Sequence, residues 1–318
     1  VAGSLLGLTL HQGESYPVGK VNTLNMYPMT YEEFLLARDK KQMLDILHMQ
    51  NWNIIKGLRT LFTQYLREYY LVGGMPEAVK KFIETNDSNS VREIQNEILR
   101  AYDRDISKHA PTEQVMRINQ VWASIPSQLA KENKKFIYGV VKPGARAKEY
   151  ELAIQWLIDA GLVYKVNRIN TLGMPLKVHE DIGAFKLFML DCGLLGAMNK
   201  TPAPLLLLPN NENTNKGDFT ENFVCSQIQT LRNVSINYYS KENSQLELDF
   251  VIQLGTHIYP IEVKAEENLQ AKSLKTTLAN NPTLVGLRFS MSDYREQDRL
   301  TNVPLYGINA YLETKKDI

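Results

Sequence analysis

The chain has 318 residues, a formal net charge of +1, 44% hydrophobic residues and 22% charged ones. Those values suit a globular protein of two or three domains with ample chain for buried cores, and the sequence holds neither an internal repeat nor a low-complexity tract. A net charge so close to zero argues neither for nor against a nucleic-acid partner, because a basic face can be balanced elsewhere. The two cysteines, Cys192 and Cys225, sit in apolar segments and read as reduced core residues, not as a disulfide or zinc pair. The sequence shows no signal peptide and no membrane-length apolar run, since 205–208 is far too short to span. No membrane partner is expected, and the default location is the cytoplasm.

Residues 1–38 carry Gly and Pro punctuation. Helical patterning runs from about Tyr31 to Glu84 and breaks at Gly73-Gly74-Met75-Pro76, where Pro76 suits a first helical turn and the paired glycines make the bend. Those glycines can also offer backbone N–H groups to an anion. Residues 86–90 form a polar loop, and a helix follows to about Lys108. Residues 112–178 read as a winged helix. Its helices are near 113–123 and 126–131, with a longer one near 145–160 that stops at Gly161; a wing strand at 162–169 returns at 175–178. Lys134, Lys135, Arg146, Lys148, Lys165 and Arg168, with Lys142, are candidate contacts to nucleic-acid phosphates. The alternative is a solvated face on a domain used for packing, which the lack of a concentrated basic run favours.

Residues 202–218, rich in Pro and Asn, read as a linker. A helix at 219–231, a strand near 235–240, strand-like runs at 246–252 and 257–265, a helix near 269–279 and strands at 283–289 and 303–308 follow. The predicted fold class is α/β: a C-terminal mixed sheet with flanking helices, preceded by a helical region and a winged-helix region. The predicted divisions fall at 1–38, 39–110, 111–200 and 201–318.

The chemistry concentrates in the two runs at 246–252 and 257–265. If their turn centres on Gly255-Thr256, a Gly-first pair suited to a type II′ turn, Asp249 falls directly opposite Glu262. Such pairs have Cβ atoms about 4.5–5.5 Å apart, and alternation puts Lys264 on the face of Glu262. Two carboxylates this close repel unless a cation or proton lies between them. Glu221 heads an i, i+3, i+4, i+7 series with Val224, Cys225 and Ile228, so it is either at a frayed first turn or aimed inward at a site. The five histidines are dispersed and show no paired metal spacing, and no Gly-x-Ser-x-Gly elbow is present.

Asp249, twelve intervening residues and then Glu262-Val263-Lys264 resemble the D…(D/E)xK signature of the restriction-endonuclease-like nucleases, and Glu221 matches the helix glutamate that often precedes it. Further stretches resemble bacterial and archaeal AAA-type ATPases that carry a C-terminal restriction-endonuclease-like domain of unknown function. They are residues 15–21, 27–35, 71–79, 125–130, 156–164 and 185–195.

The resemblance implies a restriction-endonuclease-like C-terminal sheet in which Glu221, Asp249 and Glu262 hold Mg²⁺ or Mn²⁺. The Val263 carbonyl and waters complete an oxygen shell, and Lys264 acts with Asp249 and Glu262 on a phosphodiester. The alternative is a non-catalytic regulatory module of an ATPase that binds nucleic acid, a protein partner or itself. The departure is at the start. Five residues separate Gly13 from Gly19, and Val21 stands where a phosphate loop needs Ser or Thr. Val1-Ala2-Gly3-Ser4 resembles the end of a late ATPase core strand, with Ser4 near its phosphate-sensing position. The expectation is a truncated ATPase, with no ATP site in this polypeptide and ATP bound only by a full-length relative.

Overall fold

The computed structural model describes residues 24–207, 216–241, 246–267 and 269–315. Ser4 and the Gly13 to Lys20 stretch, on which the nucleotide expectations rest, lie outside the described residues. The described chain opens with helices α1 (Tyr31–Ala37), α2 (Lys41–His48), α3 (Trp52–Gly57), α4 (Arg59–Val72), α5 (Pro76–Thr85) and α6 (Ser88–His109). Thr30 and Glu33 cap α1 reciprocally. Asp87 accepts the N–H groups of Asn89 and Ser90, so α6 starts inside the expected polar loop.

The break at the paired glycines is held by a buried carboxylate. Gly74 N–H donates to Asp191 Oδ2 at 2.6 Å, and Leu194 N–H donates to Asp191 Oδ1 at 2.8 Å. The anion these glycines meet is thus an internal one. Burial pushes the Asp191 carboxyl up to about 6, against the pull of its backbone donors. The corner has no room for side chains: a Cβ at Gly73 would lie 2.2 Å from Asp191 Oδ1, and one at Gly74 2.1 Å from the Met29 carbonyl oxygen.

The segment expected to be a winged helix comprises α7 (Thr112–Leu129), α8 (Tyr138–Val141), α9 (Ala147–Asp159), β1 (Val163–Ile169), a 3-10 turn (Leu176–His179) and β2 (Glu180–Met189). Two expectations are corrected here. One helix runs through Pro126 where the sequence predicts two, because buried Trp122, Ile125 and Leu129 carry the packing across the lost hydrogen bond. The strand returning to β1 is Glu180–Met189, not 175–178: Val163 pairs with Met189 and Ile169 with Glu180.

Then come α10 (Cys192–Met198), α11 (Ala203–Leu207), α12 (Lys216–Gln229), β3 (Val234–Ser240), β4 (Glu247–Leu254), β5 (His257–Val263), α13 (Lys272–Asn280), β6 (Gly286–Ser290), β7 (Arg295–Gln297), β8 (Leu300–Pro304) and α14 (Ile308–Glu313). Helix α12 starts at Lys216 within the expected linker, of which 208–215 lie outside the described residues. The strands make one mixed eight-stranded sheet in the order β2-β1-β3-β4-β5-β6-β8-β7. Strand β1 runs parallel to β3, with Asn167 opposite Asn237. The wing is therefore not a free hairpin: it extends the C-terminal sheet across the expected division at 200. The main core joins the helices to one side of this sheet, and a smaller core around Leu248, Val251, Ile258 and Leu274 lies under α13.

Substituting Gly74 by Ala should lower the unfolding free energy by about 2–3 kcal/mol through overpacking. A Cβ at Gly57 meets nothing within 4 Å, so Gly57→Ala should leave stability unchanged or slightly raised. Urea denaturation of both variants checks the contrast; equal losses would contradict the corner's role.

Candidate carboxylate–lysine site

Helix α12 is buried on all sides rather than amphipathic. Its polar residues are internal and bonded: the Met189 N–H donates to Asn222 Oδ1 at 2.8 Å, Asn222 Nδ2 donates to the Met189 carbonyl at 3.1 Å, and the Tyr31 N–H donates to Gln227 Oε1 at 2.9 Å. These bonds fix the helix against β2 and α1. They leave Glu221, in its second turn and 7% exposed, pointed into protein rather than solvent.

The hairpin forms as the sequence predicts. Leu254 pairs with His257 and Phe250 with Ile261, so Gly255-Thr256 is the two-residue turn. Gly255 takes a positive φ of 54°, as the first central position of a type II′ turn requires. Counting outward from Phe250–Ile261 brings Asp249 level with Glu262. The ladder stops there, because Asp249 Oδ2 accepts the N–H of Val263 at 2.6 Å. Strict alternation also fails at this point. Tyr239 pairs with Leu248 and Asn237 with Val251, so β4 carries an extra residue at Asp249–Phe250. Such a bulge re-aims the side chain next to it, and the paired ladder of the hairpin ends one step short of Asp249 and Glu262.

Each expected site residue has a definite partner. Glu221 Oε1 lies 2.8 Å from Lys134 Nζ, and Lys264 Nζ lies 2.6 Å from Glu262 Oε1. The second oxygens of both glutamates, Glu221 Oε2 and Glu262 Oε2, are buried without a hydrogen-bond partner. Both groups act on Asp249: burial first, then the Glu221 and Glu262 carboxylates, push its carboxyl up to about 8, against Lys186 and the Val263 N–H. Val263 enters through this N–H, whereas the sequence reading assigns its carbonyl.

Several participants escape the sequence reading. Lys186 in β2 is 1% exposed, lies 2.7 Å from Glu247 Oε1 and sits over the Tyr238 ring at 4.8 Å. Burial opposes its charge, but the Glu221, Glu247 and Asp249 carboxylates outweigh this and hold its pKa above the ordinary lysine value. Asp218 lies 4.0 Å from Lys134 Nζ; burial raises its carboxyl to about 7, with Lys134 lowering it and Glu221 raising it. Arg288, in register with Glu262 on β6, is fully buried. A signal did exist for Lys186: a lysine inside the apolar run Phe185-Lys186-Leu187-Phe188-Met189 needs a buried carboxylate.

The expected phosphate contacts divide. Lys134 is buried in the ion pair with Glu221, so it faces a carboxylate and not solvent. Arg168 pairs with Asp181, with its Nε 3.1 Å from Asp181 Oδ2, and Lys165 Nζ covers the Phe185 ring at 4.5 Å. Lys135, Lys142, Arg146 and Lys148 are exposed.

Carboxylate oxygens are the donors that Mg²⁺ and Mn²⁺ prefer, and the two unpartnered buried oxygens leave capacity for a cation. The residues therefore fit such an ion in kind. Among the described residues no three acidic, histidine or cysteine groups converge tightly enough to hold a metal, and lysines sit on Glu221 and Glu262.

Below about 8, and above the ordinary aspartate value of 3.8, folded protein keeps a proton on Asp249 that the unfolded chain releases. Stability of the metal-free chain should therefore fall as pH rises through that window. Asp249→Asn should make the fall shallower, with a remainder left by Asp218 and Asp191. Urea midpoints of both proteins from about pH 5 to about pH 9 test this; parallel slopes would contradict it.

Residues 63–205 match a family model described as Domain of unknown function (DUF8612), and residues 216–308 match one described as Domain of unknown function (DUF4143). No curated protein and no solved structure matches the chain. Among the described residues no helix is long and apolar enough to cross a membrane. Lys134 and Lys186 come from the first matched segment; Glu221, Glu247, Asp249, Glu262 and Lys264 come from the second.

Proposed function

We propose that the end of the β4–β5 hairpin, with Glu221, is a divalent-cation site of restriction-endonuclease-like type that cleaves phosphodiesters. The observation that carries this reading is the pair of buried, unpartnered oxygens on Glu221 and Glu262, the two carboxylates that raise the Asp249 carboxyl, with Lys264 on Glu262. Glu221, Asp249 and Glu262 would hold Mg²⁺ or Mn²⁺, which supplies Lewis-acid polarisation of a phosphate and acidifies a bound water. Lys264, on Glu262, is positioned to donate to a phosphate oxygen or to orient the attacking water. Asp249 holds the Val263 N–H, so the end of β5 and the Lys264 side chain that follows it stay registered on the carboxylates. Exposed Lys135, Lys142, Arg146 and Lys148 are the remaining candidates for contacts to a nucleic-acid backbone.

The wider context is an ATPase. The DUF4143 family is commonly associated with AAA-ATPase-like proteins, in keeping with the resemblance of the glycine corner and of the stretches around it. A second reading is a regulatory module that binds nucleic acid or protein without cleaving. One observation favours it: Lys134 and Lys264 already neutralise Glu221 and Glu262.

A Mn²⁺ titration by calorimetry, with cleavage assays on DNA and RNA, separates the two. The parent chain is expected to bind Mn²⁺ at up to millimolar concentration and to cleave. The Asp249→Ala/Glu262→Ala variant, checked for folding by circular dichroism, is expected to lose cleavage by a factor of about 10³ or more, the scale on which removing groups that stabilise the transition state acts. Cleavage unchanged in the variant would rule out the mechanism.

A further inference from the structure

The segment between α7 and α8 sends one side chain into the site from outside the C-terminal strands. Lys134 is 6% exposed, and its ammonium lies 2.8 Å from Glu221 Oε1 and 4.0 Å from Asp218 Oδ1. Its backbone is left-handed, φ 50°, a conformation unfavourable for a residue with a Cβ. The surrounding turn enforces it: the Lys135 N–H donates to Asn133 Oδ1 at 3.2 Å, and the Phe136 N–H donates to the Phe185 carbonyl of β2 at 2.9 Å. Phe136 also stacks on Phe185 with ring centroids 5.3 Å apart. The loop is thus pinned to the sheet so as to deliver one ammonium group.

Asp218 and Glu221 stand three residues apart on α12, so both carboxylates reach the same side of the helix. The ammonium of Lys134 takes the place that a cation shared by these two would take. Glu221 Oε2 remains buried and unpartnered, which shows that one lysine contact does not exhaust the acceptors there. A hydrated divalent ion and Lys134 cannot share this space, because adding like charge beside a buried ammonium is strongly unfavourable.

On the reading of Glu221, Asp249 and Glu262 as a metal site, we propose that Lys134 is a tethered cation that fills the Asp218–Glu221 part of that site. A divalent ion occupies it only after residues 131–136 withdraw. The helical segment then controls the C-terminal site directly: with the loop seated, the carboxylates are neutralised internally, and with the loop displaced, Asp218 and Glu221 become available to metal.

The test is Mn²⁺ calorimetry on the full chain, on Lys134→Met and on Lys134→Met/Glu221→Gln. Lys134→Met is expected to bind Mn²⁺ about tenfold or more tightly than the parent, since no buried ion pair has to be broken. Adding Glu221→Gln should remove the gain. Equal affinity in the parent and Lys134→Met overturns the proposal and leaves the metal reading standing, whereas no binding by either overturns both. Hydrogen exchange on the parent needs no variant to fold. Saturating Mn²⁺ should increase exchange of the amides at 131–136, and unchanged exchange with Mn²⁺ bound overturns the proposal.

Discussion

Carboxylates gathered inside a protein need positive charge or protons beside them, and this requirement organises the molecule around its C-terminal hairpin. The cations arrive from three places: Lys134 from the loop after α7, Lys186 from β2 and Lys264 from the end of β5. Where cations are insufficient, a proton serves, as at Asp249 with its carboxyl raised to about 8. Removing one partner of a buried pair costs about 3–5 kcal/mol, a scale that applies to Lys134–Glu221, whereas the Lys186–Glu247 and Lys264–Glu262 pairs reach solvent and are worth less. The same arrangement leaves one oxygen each of Glu221 and Glu262 buried without a hydrogen-bond partner.

The backbone supports that charge cluster by joining the segments into one sheet. Strand β1 beside β3 carries Lys186 within reach of β4 through its partner β2, and α12 lies over the sheet with Asn222 bonded to Met189. The helical region is tied in at the other end of α12, where Gln227 holds Tyr31 and Phe223 meets the Tyr69 ring edge-on at 5.6 Å. The Asp191 carboxylate on the glycine corner completes the link. A movement of the loop at 131–136 would therefore act on a site whose other walls are held by these bonds.

Much of this was legible in the sequence where a local rule applied. Gly255-Thr256 sets the hairpin register through turn geometry alone, and the break at Gly73 to Pro76 follows from backbone restrictions on Gly and Pro. Glu221 was readable as a carboxylate heading an apolar face. What escaped depends on non-local partners. Nothing around Lys134 distinguishes a buried lysine from an exposed one, because its burial is set by Asp218 and Glu221, which lie more than eighty residues away. The bulge at Asp249–Phe250 arises from pairing with β3 and leaves no periodic mark. The long helix through Pro126 shows tertiary packing overriding a local breaker. The return strand was hidden because β2 is apolar along its second half and reads as core rather than as the partner of β1.

The central claim is that these carboxylates receive a divalent ion. Anomalous diffraction from crystals soaked in Mn²⁺ tests it most directly. The expected result is a peak among Glu221, Asp249 and Glu262, with the Lys134 ammonium displaced from Glu221. A map with no peak at millimolar Mn²⁺ and Lys134 still seated on Glu221 would contradict the account.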